Sequence, residues 1–217
     1  MNLSLFELER ARKDPKRAAV LKLRKFGGLK PTFPMYWIYA AKLFHKLKAQ
    51  NDSQAETQAI QYFSQHCQSK LFDNSEFDQK LLTYSRKLQK YFKNYTDLGY
   101  PTVQTNKAVQ FDDIFGHFIS GKIARLDIIP SGGFAATNFE ARPSDWRTQL
   151  RVPIIQKALA NELRCPASEV QVGMYCIESG KHDYITCSDT KISDAVAELQ
   201  NILTVIEAEK KRLRRDT

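Results

Sequence analysis

Hydrophobic and polar positions follow two different periods along this chain. Up to about residue 93 the apolar residues recur every three or four positions, the spacing of helices that bury one face. Ala55, Ala59, Tyr62, Phe63 and Cys67 form one stripe, with Ser53 and Glu56 at capping-box spacing ahead of it. Phe77, Leu81, Tyr84, Leu88 and Tyr91 form a second, which Asn74 or Ser75 would cap. The stretch 34–48 is apolar almost all round over its first two turns, which predicts a helix buried against several neighbours. Gly27, Gly28, Pro31 and Pro34 supply the break that introduces it.

From residue 111 the period falls towards two. Segments 111–120, 122–129 and 134–140 read as strands, joined by turns at Ser120-Gly121 and at Pro130 to Gly133. A helix follows over 146–163, with Pro153 either kinking it or marking its true first turn. Two more strands, 170–177 and 182–187, flank Ser179-Gly180. A last helix is expected over 188–211, burying Ile192, Val196, Leu199, Ile202, Leu203 and Ile206. The pattern predicts an α/β protein: a helical N-terminal lobe over 1–110 packed on an α/β core over 111–217.

Composition narrows the class. With 217 residues, 42% hydrophobic and 26% charged, the chain is ordinary for a globular protein and excludes a wholly disordered one. No apolar run approaches the roughly 20 residues that span a bilayer. Glu7 and Glu9 stand where a signal peptide carries positive charge, so the expected location is cytoplasmic, or nuclear in a eukaryote. Cys67, Cys165, Cys176 and Cys187 lack metal or redox spacing and read as small buried hydrophobes. His45, His66, His117 and His182 show no metal-ligand spacing either.

Three consecutive stretches carry chemistry. They are Gly121-Lys-Ile-Ala-Arg-Leu-Asp127, Gly132-Gly133-Phe-Ala-Ala-Thr-Asn-Phe-Glu140 and Trp146-Arg-Thr-Gln-Leu150. In this order they resemble the RecB-type branch of the PD-(D/E)XK nuclease superfamily. The resemblance covers roughly 111–207, and extends weakly to Ala41 through Leu47, where His45 is similar to the family's upstream histidine. It implies a restriction-endonuclease-like mixed-sheet core: a three-strand meander, a helix, two strands and a helix. It also implies phosphodiester hydrolysis by Mg²⁺ held between two carboxylates, with a lysine beside them. On a strand, residues i and i+2 share a face, so an acid-x-lysine tripeptide aims both groups at one phosphate.

This sequence departs from that set. The metal-binding aspartate of the resemblance falls on Ala124, and its acid-x-lysine falls on Asn138-Phe139-Glu140. A tyrosine common in the family falls on Pro153, while His45 and Gln149 remain as accessory positions. Asp127 survives, but alternation turns it to the face of Ile123 and Arg125, where a turn or helix end is its expected partner. The expectation is a catalytically inactive nuclease-like protein with no metal and no cofactor. It would act as a nucleic-acid-binding or assembly subunit in a DNA/RNA processing or defence system. One alternative is an active Mg²⁺-dependent phosphodiesterase with a site migrated to Glu140 and Asp112 or Asp113. Another is a protein-interaction adaptor with no nucleic-acid role.

The net charge of +9 favours an anionic partner. Eight basic residues lie between positions 10 and 25: Arg10, Arg12, Lys13, Lys16, Arg17, Lys22, Arg24 and Lys25. The first five of these, with Lys122, Arg142 and Arg147 around the former catalytic strands, are the expected phosphate contacts. Lys210, Lys211, Arg212, Arg214 and Arg215 at the C-terminus serve equally well to complement a helix dipole. Tyr36, Trp37, Tyr39 and Phe44 have the chemistry to stack bases, but at helical spacing they read as core. The expected partner is nucleic acid, DNA ahead of RNA, with protein partners in a larger complex and no membrane.

Overall fold

The computed structural model describes residues 2–23, 31–71, 76–112 and 118–215. These form a mixed six-stranded sheet and seven α-helices. A short strand β1 (Asn2–Ser4) leads directly into α1 (Leu5–Lys13). The junction is a capping box: the Ser4 hydroxyl accepts from the Glu7 amide at 3.3 Å, and the Glu7 carboxylate accepts from the Ser4 amide at 2.9 Å. Helix α2 (Pro15–Leu23) opens on proline, whose missing N–H is no loss at a first helical position.

Helices α3 (Phe33–Ala49), α4 (Ala55–Leu71) and α5 (Phe77–Leu98) follow. The Thr32 hydroxyl caps α3, which buries Tyr36, Trp37, Ala40, Ala41, Phe44 and His45. In place of the expected Ser53 cap, Asp52 accepts from the Gln54 amide at 2.7 Å, which fixes the turn that leads into α4. The expected caps Asn74 and Ser75 lie outside the described residues, as do Gly27 and Gly28.

Strand β2 (Thr102–Asp112) pairs antiparallel with β3 (Phe118–Ile128), and β4 (Phe134–Glu140) pairs antiparallel with the far end of β3. After a 3-10 turn at Trp146–Thr148 comes α6 (Arg151–Leu163), with Pro153 in its first turn. Strand β5 (Val170–Cys176) is parallel to β4, β6 (His182–Ile185) is antiparallel to β5, and α7 (Asp189–Arg215) closes the fold.

Three expectations need correction. The strand expected over 111–120 is really two pieces, the end of β2 and the start of β3, with β2 beginning at Thr102. No turn occurs at Ser120-Gly121; β3 runs straight through it. Gly121 is there for closeness, since a Cβ on it would lie 2.6 Å from Leu5 Cδ1 of α1. Nor is the N-terminus purely helical: β1 joins the sheet parallel to residues 118–120 of β3.

The two faces of the sheet carry separate cores. Leu8, Ala11 and Ala19 of α1 and α2 pack with Ile123, Leu126, Ile155, Leu159, Leu199 and Leu203. On the other face Trp37, Phe44, Phe63, Leu88, Tyr91 and Phe92 pack with Tyr175. The helices expected in one N-terminal lobe are therefore divided: α1 and α2 belong with α6 and α7, and α3 to α5 cover the opposite face. Among the described residues no helix is long and apolar enough to cross a membrane.

Candidate nucleic-acid interface

One edge of β3 is shared. β1 takes residues 118–120 and β4 takes 125–128, so β3 and β4 part company over 121–124. A cavity of about 360 Å³ sits in this fork, lined by Ile38, Lys42, Gly121, Lys122, Ala124, Asn138 and Phe139. The fold thus brings Ala124 and Asn138, the two positions singled out by the resemblance, to one cavity. The cations facing them are Lys42 from α3 and Lys122 from β3. The Lys42 ammonium donates to Asn106 Oδ1 at 3.2 Å. Its pKa is held below the ordinary lysine value, first by burial and then by the like charge of Lys122.

Glu140 stands two residues further along β4 and is already engaged. Arg151 of α6 forms an ion pair with its carboxylate, and the Ser144 hydroxyl donates to the same group. Arg151 Nε in turn donates to the Gln149 side-chain carbonyl at 2.6 Å, so Gln149 and Glu140 are linked through one guanidinium. Asp112 lies at the end of β2, on the other side of β3 from β4, so the fold does not bring it to Glu140. Asp113 lies outside the described residues. An Mg²⁺ ion in the fork would need carboxylate oxygens. The described lining offers one amide and two ammonium groups, a donor set that does not fit the metal.

His45 is not at the cavity. It is fully buried, with Nε2 2.5 Å from the Tyr91 hydroxyl. That oxygen accepts from Arg125 Nη1 at 3.0 Å, so its own proton points at Nε2. The His45 proton then sits on Nδ1, which has no partner among the described residues. Burial, and secondarily Arg125, hold this imidazole well below the usual histidine range. The resemblance makes His45 an accessory position of the site, whereas the fold buries it in the core against Tyr91.

Asp127 has a different partner from the one expected. It and Arg125 are both fully buried and bonded to each other, Nε to Oδ2, at 2.7 Å. The Thr102 hydroxyl donates to the other carboxylate oxygen at 2.7 Å, in place of a turn or helix end. Burial pushes the carboxyl pKa upward, opposed by Arg125 and Thr102. Arg125 also reaches the Tyr184 hydroxyl at 3.3 Å and lies 4.6 Å from the centre of the Tyr95 ring. Next to it His182 is pushed down to about 3, by burial and by Arg125. Spacing alone gave no sign of Lys42, His182 or Tyr184, because each comes from an element distant in sequence, nor of Arg151, which meets Glu140 from the helix that follows β4.

The basic positions divide. Arg12 is tied down, donating to Glu198 at 2.6 Å and to the Thr148 carbonyl at 2.9 Å. Lys16 lies close enough to α7 to lower the Glu209 pKa, whose main cause is its bond to Arg212. Arg10, Lys13 and Arg17 are exposed, whereas Arg24, Lys25 and the Lys22 side chain lie outside the described residues. Arg147 pairs with Asp183 at 2.9 Å. Arg142 is exposed and makes no ion pair among the described residues. Of the four aromatics with stacking chemistry, Tyr36, Trp37 and Phe44 are buried and Tyr39 is exposed.

No family model and no curated protein matches this chain in sequence. Its fold has a counterpart among solved structures. A candidate exonuclease from Eubacterium rectale aligns at a TM-score of 0.55 and 10% identity, covering 96% of this chain and 82% of that one. SSO0001 aligns at a TM-score of 0.33 and 9% identity, covering 89% of this chain and 85% of that one. The first similarity gives the chain a nuclease-like fold; at such low identity it speaks for the fold alone.

Proposed function

We propose that this chain is a nuclease-like protein of the RecB-type PD-(D/E)XK kind that binds nucleic acid without cutting it. It serves as a binding or assembly subunit in a DNA- or RNA-processing or defence system, with DNA the favoured partner. The support for this reading is the fork between β3 and β4. There Ala124 and Asn138, on which the resemblance places the metal-binding acids, line one cavity, and Lys42 and Lys122 supply the charge. Two ammonium groups with no carboxylate among the described lining favour a phosphate over a cation. Asn138 adds an amide donor. On this reading hydrolysis lacks its electrophile and its activated water, since Glu140, two residues along β4 from Asn138, is committed to Arg151 and Ser144.

Fluorescence anisotropy with labelled DNA and RNA, run as a salt titration, tests the binding. Affinity should fall as salt rises, and Lys42→Ala with Lys122→Ala should flatten the slope by about 0.7 to 0.9 for each phosphate no longer neutralised. Incubation with Mg²⁺ or Mn²⁺ should leave DNA and RNA intact. Cleavage that disappears on Glu140→Ala would overturn the non-cleaving reading, and salt-independent or absent binding would overturn the nucleic-acid reading.

A further inference from the structure

The fork cavity is not isolated. A larger one, about 640 Å³, lies beside it on the same seam between α3 and β4. The first is bounded by Ile38 and Lys42 on α3 and by Asn138 and Phe139 on β4. The second is bounded by Phe33 and Pro34 at the start of α3 and by Ala141 and Arg142 just past β4. Pro34 and Ile38 are about one helical turn apart, roughly 6 Å along the axis. Phe139 and Ala141 are two strand positions apart, roughly 7 Å. Helix and strand therefore agree that the two cavities follow one another in the same direction along the seam.

The second cavity also has the right chemistry. Its apolar floor is Pro31, Phe33, Pro34 and Tyr84, with the Phe33 and Tyr84 rings stacked at 5.6 Å and 15°. Lys80, Lys87 and Arg142 stand around it, against a single carboxylate, Glu178, among the described lining. Lys80 is neutralised by Glu76 at 2.8 Å, leaving Lys87, whose ammonium lies 5.3 Å from the centre of the Tyr84 ring, and Arg142. Flat apolar surfaces alternating with cations are what an unpaired strand needs, bases on the floor and phosphates at the rim. A duplex keeps its bases stacked inside and would meet only the rim.

We infer that the α3–β4 seam is a single-strand track: a phosphate sits in the fork at Lys42 and Lys122, and the adjoining nucleotides lie in the groove of Phe33, Tyr84, Lys87 and Arg142. This rests on the nucleic-acid reading above and adds the kind of strand.

Anisotropy with a labelled 12-nucleotide single strand and with its duplex tests the track, using wild type and Lys87→Glu/Arg142→Glu; thermal unfolding confirms that the variant is folded. The single strand should bind wild type about ten-fold or more tightly than the duplex, and the variant should lose about ten-fold on the single strand and much less on the duplex. Photocrosslinking of an iodouracil-substituted single strand should map to 31–34 or 84–87. If neither DNA form binds wild type, the nucleic-acid reading fails and the track with it. If the duplex binds as well as the single strand, or the variant binds normally, or crosslinks fall only on α1 and α2, the track fails and the broader reading stands.

Discussion

Replacing Asp127 by alanine should destabilise this protein severely. Arg125 is wholly excluded from solvent, and among the described residues Asp127 is the one carboxylate bonded to it. Its other bonds go to the neutral hydroxyls of Tyr91 and Tyr184 at 3.0 and 3.3 Å. Removing one partner of a buried pair leaves an uncompensated charge and costs about 3–5 kcal/mol. The Thr102 hydroxyl also loses an acceptor, but the Tyr95 oxygen at 2.8 Å remains to satisfy it. The loss is a large part of the roughly 5–15 kcal/mol that holds a folded domain together. At a urea slope of about 2–3 kcal/mol/M, the unfolding midpoint should fall by about 1–2.5 M, with the slope unchanged. Circular dichroism during urea titration measures it. The double variant Arg125→Met/Asp127→Leu removes both charges and should recover most of the loss. If Asp127→Ala costs under about 1 kcal/mol, or the double variant is no better than the single one, the buried pair is not what neutralises Arg125.

Stability should also fall in mild acid. His45 and His182 are both held below their unfolded pKa, so the unfolded chain takes up protons first as pH drops. Their contribution is complete above about pH 6.5 and declines by at most about 1.4 kcal/mol per pH unit per ring towards the folded value. Urea midpoints from pH 7.5 to 5 should show it, and His182→Gln should shallow the dependence. Reversing Arg12, Lys13, Lys16 and Arg17 to glutamate should weaken nucleic-acid binding for all sequences alike, read by anisotropy. Because Arg12 is paired with Glu198, the same variant should lose about 1 kcal/mol or more of stability, beyond the usual cost of surface charges. Gly121→Val should cost about 1–3 kcal/mol in thermal or urea unfolding, since its side chain would enter the space of Leu5.

The long helices were legible because their stripes are dense: Ile192, Leu199, Ile202, Leu203 and Ile206 all face the core as the spacing implies. Strands β4, β5 and β6 were legible for the related reason that apolar runs there end at glycine turns. Strand β2 was not, because its first half is mostly exposed on both sides and only Lys107, Val109 and Phe111 alternate inward. Lys107 further disguises the pattern; an apolar site holds it because Glu162 of α6 pairs with it. β1 is three residues long and takes its identity from its partner, so nothing local marks it. At the site, the link between Ala124 and Asn138 came from the order of motifs in the resemblance, and the fold sets both at one cavity. What surrounds them was not legible, since Lys42 arrives on a helix that only the tertiary fold brings near.

The placing of β1 sets a timetable for folding. Residues 2–4 pair with residues 118–120, so more than a hundred residues must be made before the first strand has an edge to join. At about 5–20 residues per second, that interval is on the order of 6–23 s of synthesis. Through it, α1 lacks the β3 surface against which Leu5 packs, and its apolar stripe stands open. Helices α3 to α5 can meet one another meanwhile, since they are contiguous in sequence. Residues 2–4 are therefore made long before they can reach their place, and a bulky group fused before β1 would compete with that late docking step rather than with the helices made in between.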